Sequence, residues 1–237
     1  QVPFSELNSE WSECKKINVY SPIKILNRLN FKIKKIILAS SMSVYGSSIK
    51  KKINELSETN PDSGYALTKY TQEKIFGIYS KVNNIKFLCV RFGYIYSKNI
   101  SYKRLIKKII FKISKNQNLE IINGNKINLN LLHTKDLSIA LQKIIKNKEG
   151  IFNLSTDKFI SINFFVKKIL KYFPKYKGKL VKINENSIKK DHLFSNQKIN
   201  SIYTSNAVKR LDSTIQEIIK KIWTFLLLVA QVSLVLH

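Results

Sequence analysis

Glycine is scarce in this chain: there are seven among 237 residues, and no two lie within ten positions of each other. That excludes from these residues a glycine-rich phosphate turn, where close-set glycines let backbone N–H groups approach a pyrophosphate at a helix N-terminus. Cysteine is scarcer. Cys14 and Cys89 provide no disulfide framework, and Cys89 sits in an apolar run, so a reducing, cytoplasmic setting is expected. Arginine supplies only Arg28, Arg91, Arg104 and Arg210 of the 42 basic residues, against 15 acidic ones and a net charge of +27. Specific nucleic-acid recognition favours the bidentate guanidinium, so this arginine-poor balance argues against it. The lysines run along the whole chain with abundant isoleucine and asparagine, which reads as a compositional bias leaving solvated lysines on helix faces. His133, His192 and His237 have no metal-ligand spacing with the cysteines, so no metal is expected; His133, within an apolar strand, reads as a core residue. The start "QVPFSELNSEWSECKK" has no apolar signal stretch. "IWTFLLLVAQVSLVL" (222–236) is uncharged for fifteen residues. A bilayer span needs ~20, so a terminal helix is expected and a membrane anchor is not.

What is present alternates in period. Helical spacing of Ile17, Ile23, Leu26 and Leu29 marks Cys14–Asn30, and "KKIILAS" (34–40) reads as a buried strand. A polar loop leads to Pro61, Asp62 and Ser63, which open a helix over 65–81. "KFLCVRF" (86–92) is a second buried strand, and 101–115 is an amphipathic helix. "NGN" (123–125) predicts a hairpin between "LEII" and "KINLNLLH". A helix over 134–147, a strand over 151–155, a helix over 161–173 and a terminal helix from about Thr214 follow. Strands alternating with helices indicate an α/β protein with a parallel sheet.

One short stretch carries chemistry. "SGYALTKY" (63–70) holds Tyr65 and Lys69 one helical turn apart, on one face. Spacing alone is weak, since Tyr20/Lys24, Tyr70/Lys74 and Tyr94/Lys98 repeat it, where roughly two matches are expected by chance. Context separates them. A tyrosine becomes a useful acid/base beside an ammonium that stabilises its phenolate. A second hydroxyl should orient the substrate oxygen from the C-terminal end of a sheet strand, where open α/β sheets bind ligands. "IILASSMSVYG" (36–46) ends a strand in serines, 24 residues before Tyr65 at Ser41. Only Tyr65/Lys69 has strand, serine turn, loop and helix in that order.

These residues resemble the extended short-chain dehydrogenase/reductases, in particular the NAD-dependent epimerase/dehydratase group acting on nucleotide sugars. "INVYSPIKILNRLNFKIKKIILASSMSVYG" is similar to that family's Asn-Val helix, strand and Ser-Ser-x-x-Val-Tyr-Gly turn, and "YALTK" to its Tyr-x-x-x-Lys. "RFGYIYS", "NLLHTKDLSIAL" and "GIFNLST" resemble three later segments in the family's order. The resemblance implies a Rossmann-type doubly wound parallel sheet and a smaller C-terminal substrate lobe, with an incomplete NAD(P)-binding domain over 1–98. The lobe would occupy 99–237, with part of 117–155 returning to the sheet. It implies Tyr65 as the acid/base, Lys69 as support for the phenolate and a ligand of the nicotinamide ribose, and Ser41 on the reacting sugar hydroxyl. Asn18, Ser40 and Phe92 fall where the family touches the cofactor, and Met42 and Tyr94 where it touches substrate. Tyr94 stands in place of an asparagine, Ser97 of a glycine and Leu129 of an arginine that commonly meets nucleotide phosphates. NAD is the implied cofactor, with NADP open, and a nucleotide sugar the implied substrate; a homodimer is left open. A 4,6-dehydratase would carry Asp-Glu where this chain has Met42-Ser43, which favours an epimerase or simple reductase. The first element resembles the family's fourth helix and the chain begins at Gln1, so a fragment or truncated product lacking the first strands is expected. The alternatives are a non-catalytic relic of the same fold and, on charge alone, a basic nucleic-acid binder.

Overall fold

The computed structural model describes residues 11–28, 32–46, 52–99, 105–122, 128–155, 160–183, 194–195, 197–203 and 207–235. The "NGN" turn, His192 and His237 lie outside them. In chain order, a helical segment over 11–26 contains a π-helical turn, Lys16–Tyr20, and ends in α1, Ser21–Leu26. Then come β1 (Lys35–Ser41), a 3-10 turn (Met42–Tyr45), α2 (Gly64–Val82), β2 (Lys86–Phe92), β3 (Tyr94–Tyr96) and α3 (Leu105–Ser114). β4 (Leu119–Ile122), β5 (Asn128–Leu129), β6 (Leu131–His133), α4 (Thr134–Ile145), β7 (Gly150–Leu154) and β8 (Ile160–Ser161) follow. The chain closes with α5 (Ile162–Leu170), β9 (Leu180–Ile183), α6 (Gln197–Asn200) and α7 (Ala207–Val235).

The chain divides into two compact units. The first comprises Gln1–Gly93, Leu137–Asp157 and Lys190–Thr204. Its sheet is parallel, in the order β1-β2-β7. A parallel pair cannot be joined by a tight turn, and α2 makes the crossover from β1 to β2. The register aligns the strand ends: Ser41 faces Phe92, and Phe92 faces Leu154. Leu88, Cys89 and Val90 are fully buried in the central strand, as expected where both faces of a parallel strand are covered. After β1 the chain turns sharply at Gly46, whose φ is +71°; a Cβ there would sit 1.9 Å from the Asn60 carbonyl oxygen. Only glycine fits both the left-handed backbone and that approach.

The second unit comprises Tyr94–Asp136, Lys158–Lys189 and Ser205–His237. Its core gathers Ile106, Ile109, Ile110 and Ile113 of α3 with Phe165 and Ile169 of α5 and Leu211, Ile215, Ile218 and Ile222 of α7. Those residues recur at three- and four-residue intervals, so each helix turns one apolar stripe inward. The expected hairpin after Ile122 is not how these strands pair. β4 runs parallel to β9, β5 pairs with β8, and β6 pairs with β3. Leu119 and Ile121 alternate into the core while Glu120 faces out. The terminal helix begins at Ala207, seven residues before Thr214. Among the described residues no helix is long and apolar enough to cross a membrane.

Candidate functional site

α2 is unusual in what it buries. Its inward face carries Ala66, Thr68, Lys69, Gln72, Glu73 and Ser80, most of them polar. Burying such groups is costly unless they are paired, and most of them are. The helix starts where Ser63 caps it, its hydroxyl accepting from the Ala66 N–H at 3.2 Å. Tyr65 therefore stands in the first turn, 40% exposed. One turn on, Lys69 is only 8% exposed, and its ammonium donates to Gln72 Oε1 at 2.7 Å. Burial pulls the Lys69 pKa down from the ordinary lysine value, and the nearby Glu73 carboxylate opposes that pull.

Behind Lys69 runs a buried polar chain. The Glu73 carboxylate takes Arg91 Nη2 on Oε2 at 2.7 Å and Arg91 Nε on Oε1 at 3.0 Å, and accepts the Ser40 hydroxyl on Oε1. Arg91 Nη1 reaches the Tyr45 hydroxyl at 2.7 Å, and Tyr45 Oη lies 2.8 Å from Asn153 Oδ1. The Asn153 N–H donates to Glu55 at 2.8 Å. Burial pushes the Tyr45 phenol up despite Arg91, so it stays protonated and can donate to Asn153. Burial likewise drives the Cys89 thiol far up, with Glu73 adding to it.

The residues singled out in the sequence fall as follows. Ser41 ends β1 and caps the 3-10 turn, accepting from the Ser43 N–H at 3.2 Å and from the Ser43 hydroxyl at 2.9 Å. Ser40 is buried with its hydroxyl on Glu73, and Met42 is buried in the turn. Asn18 lies inside the π-helical turn. Pro22, four residues on, has no N–H to offer the Asn18 carbonyl, which loosens the helix locally. The Asn18 side chain donates to Thr68 Oγ1 at 3.1 Å, and Thr68 in turn donates to the Tyr65 carbonyl at 2.9 Å. Phe92 ends β2, level with Ser41. Tyr94 belongs to the second unit. No hydrogen bond among the described residues directly joins the side chains of Ser41, Tyr65 and Lys69. In the second unit His133 is buried, its Nδ1 accepting from the Lys135 N–H at 3.1 Å and its ring edge-on to Tyr96. Asp136 beside it is bridged by Arg210. Among the described residues no cluster of three His, Cys, Asp or Glu could hold a metal ion.

Gln72, Glu73, Arg91, Tyr45 and Asn153 carry much of this network, and the sequence reading passed over them as site residues. A signal existed: Gln72 and Glu73 stand three and four residues after Lys69, on the same helix face.

A parallel sheet whose strand ends meet a helix with a buried lysine and an exposed tyrosine defines a Rossmann-like site. The chain belongs to the NAD dependent epimerase/dehydratase family, which matches residues 7–155. It is 30% identical over 152 residues to a Methanocaldococcus jannaschii protein provisionally named a UDP-glucose 4-epimerase, covering 62% of this chain and 50% of that protein. It is 29% identical over 154 residues to a Dictyostelium discoideum dTDP-D-glucose 4,6-dehydratase, covering 60% and 36%. Its fold is similar to that of the Thermotoga maritima UDP-glucose 4-epimerase, with a TM-score of 0.80 and 16% identity over 94% of this chain and 75% of that one. The UDP-N-acetylglucosamine 4-epimerase of Methanobrevibacter ruminantium is similar too, with a TM-score of 0.76 and 18% identity over 89% and 70%. The chain spans about half the length of the first two curated relatives it matches.

Proposed function

We propose that these residues form the acid/base part of an NAD-dependent nucleotide-sugar epimerase site. The observation that carries this reading is the pair on α2: an accessible Tyr65 in the first turn and a buried Lys69 one turn behind it, on the helix that Glu73 ties to Ser40 near the end of β1. The phenolate of Tyr65 removes the proton from a sugar hydroxyl and later returns it. Lys69 stabilises that phenolate and donates to the cofactor's ribose, and Ser41 holds the reacting oxygen. NAD, held at its nicotinamide ribose by Lys69, would supply reversible hydride transfer at the carbon that bears this hydroxyl. Met42-Ser43 offers no carboxylate for the elimination a dehydratase needs.

The residues present fit one end of such a cofactor. The buried Lys69 ammonium suits the ribose next to the nicotinamide, while the pyrophosphate finds no close pair of glycines in this sequence. The activity is therefore tested with the chain joined behind a glycine-rich βαβ unit from a relative, supplied with NAD and UDP-glucose. The expected result is the 4-epimer in the proton NMR spectrum, with Tyr65→Phe slower by about 10²–10⁴-fold. Turnover indifferent to Tyr65→Phe would refute the reading, and no turnover would favour a non-catalytic relative of the fold.

A further inference from the structure

We infer that Glu73 is a positioning residue that keeps the Lys69 side chain charged and in place, acting through the helix turn the two share and through its grip on two strands. The inference rests on the role proposed for Lys69. Glu73 follows Lys69 by four residues on α2, and both side chains point inward, away from water. The carboxylate does not swing freely. It is held on Oε1 by Ser40 from β1 and by Arg91 Nε from β2, and on Oε2 by Arg91 Nη2. One side chain thus ties the helix carrying Tyr65 and Lys69 to the two strands whose ends lie level at Ser41 and Phe92.

The charges around Lys69 leave it one effective anion. From β2 come Cys89 and Arg91, and from α2 itself comes Glu73. The Cys89 thiol could attract an ammonium only as a thiolate, and burial drives its ionisation far above neutral pH. At working pH Cys89 is therefore neutral. Arg91 is a cation, and its direct partner is Glu73 rather than Lys69. Gln72 offers Lys69 a dipole without a charge. Burial acts against the ammonium, so the Glu73 carboxylate is the group that opposes loss of the Lys69 proton.

The test reads Lys69 directly and needs neither cofactor nor sugar. Lysines are labelled with ¹³C at Cε, the Lys69 signal is assigned by its loss in Lys69→Met, and its titration midpoint is followed by NMR. In Glu73→Gln the midpoint should fall, with an acid dissociation constant raised by about tenfold or more, the effect expected on losing a close opposite charge. Glu73→Asp, which keeps the charge, should restore most of the difference. Removing Glu73 alone strands a buried arginine and could unfold the chain. The charge-neutral pair Glu73→Gln/Arg91→Met removes that difficulty, and its Lys69 midpoint should also lie below that of the native chain. An unmoved midpoint in either folded variant overturns the inference, as does a Glu73→Asp midpoint no higher than that of Glu73→Gln. A shifted midpoint in a protein that lacks epimerase activity would leave the role of Glu73 standing and count against the proposed function instead.

Discussion

The Tyr45 hydroxyl lies 2.8 Å from Asn153 Oδ1, joining the turn after β1 to the third strand of the sheet across 108 residues of sequence. Tyr45 is wholly buried and also receives Arg91 Nη1 at 2.7 Å. Removing its hydroxyl would leave a donor on Arg91 and an acceptor on Asn153 with no way to reach water. Tyr45→Phe should therefore cost about 1–3 kcal/mol of stability, the range for stranding buried polar groups. Urea denaturation would measure it as a lower midpoint at unchanged slope, and a loss within experimental error would show the network to be dispensable.

Much of this arrangement could be read in advance, and the limit is physical. β2 was legible because a central parallel strand is apolar on both faces, and "KFLCVRF" holds the unbroken apolar run Phe87-Leu88-Cys89-Val90. α2 was legible from Ser63, whose side chain caps it, and Tyr65 and Lys69 stood out by spacing and by the serine turn before them. The chain from Ser40 through Glu73, Arg91 and Tyr45 to Asn153 was not legible as a network. Its members come from five separate elements, and each looks alone like an ordinary polar residue. The hairpin expected around 123–125 failed for a related reason: a local turn signal says nothing about whether a distant strand such as Leu180–Ile183 offers β4 a better pairing.

Lys69 makes stability depend on pH in a defined direction. Burial lowers its folded pKa below the ordinary 10.5, so the folded chain releases this proton before the unfolded chain does. Between those two values the unfolded state binds more protons, and the Lys69 contribution to stability rises with pH. In Lys69→Met that rise should be missing. The difference in unfolding free energy between native chain and variant, followed upward from neutral pH, should shift in favour of the native chain. A difference independent of pH would show that Lys69 is not held against its solvation.

The charge of +27 should produce adhesion without recognition. Dispersed lysines bind phosphate backbones by releasing counterions, which is steeply salt-dependent and blind to sequence. Fluorescence anisotropy with two unrelated duplexes should give equal affinities, with dissociation constants of about 10⁻⁴–10⁻⁶ M near physiological salt, weakening steeply as salt is raised. Tight binding to one defined sequence under those conditions would require a recognition surface that the composition argues against.

The last prediction concerns the open side of the sheet. Among the described residues β1 has a strand partner on one side only, because the order is β1-β2-β7. Leu38 and Ser40 are buried on one of its faces, while Ile37 is 45% exposed on the other and Ala39 beside it is exposed too. An unpaired edge next to bare apolar surface invites another strand, and in isolation that means self-association. Ile37→Lys should reduce it, since a charge on an edge strand discourages pairing; sedimentation velocity would show a smaller fraction of large species. The same chain should bind NAD too weakly for calorimetry to detect, because its glycines are too far apart to cradle a pyrophosphate. Joining a glycine-rich βαβ unit upstream should remove both defects together, pairing the β1 edge and supplying the N–H groups. If NAD binds tightly to the chain alone, the cofactor site lies elsewhere than beside β1. If the joined unit restores binding but leaves the self-association unchanged, the sticky surface is not this edge.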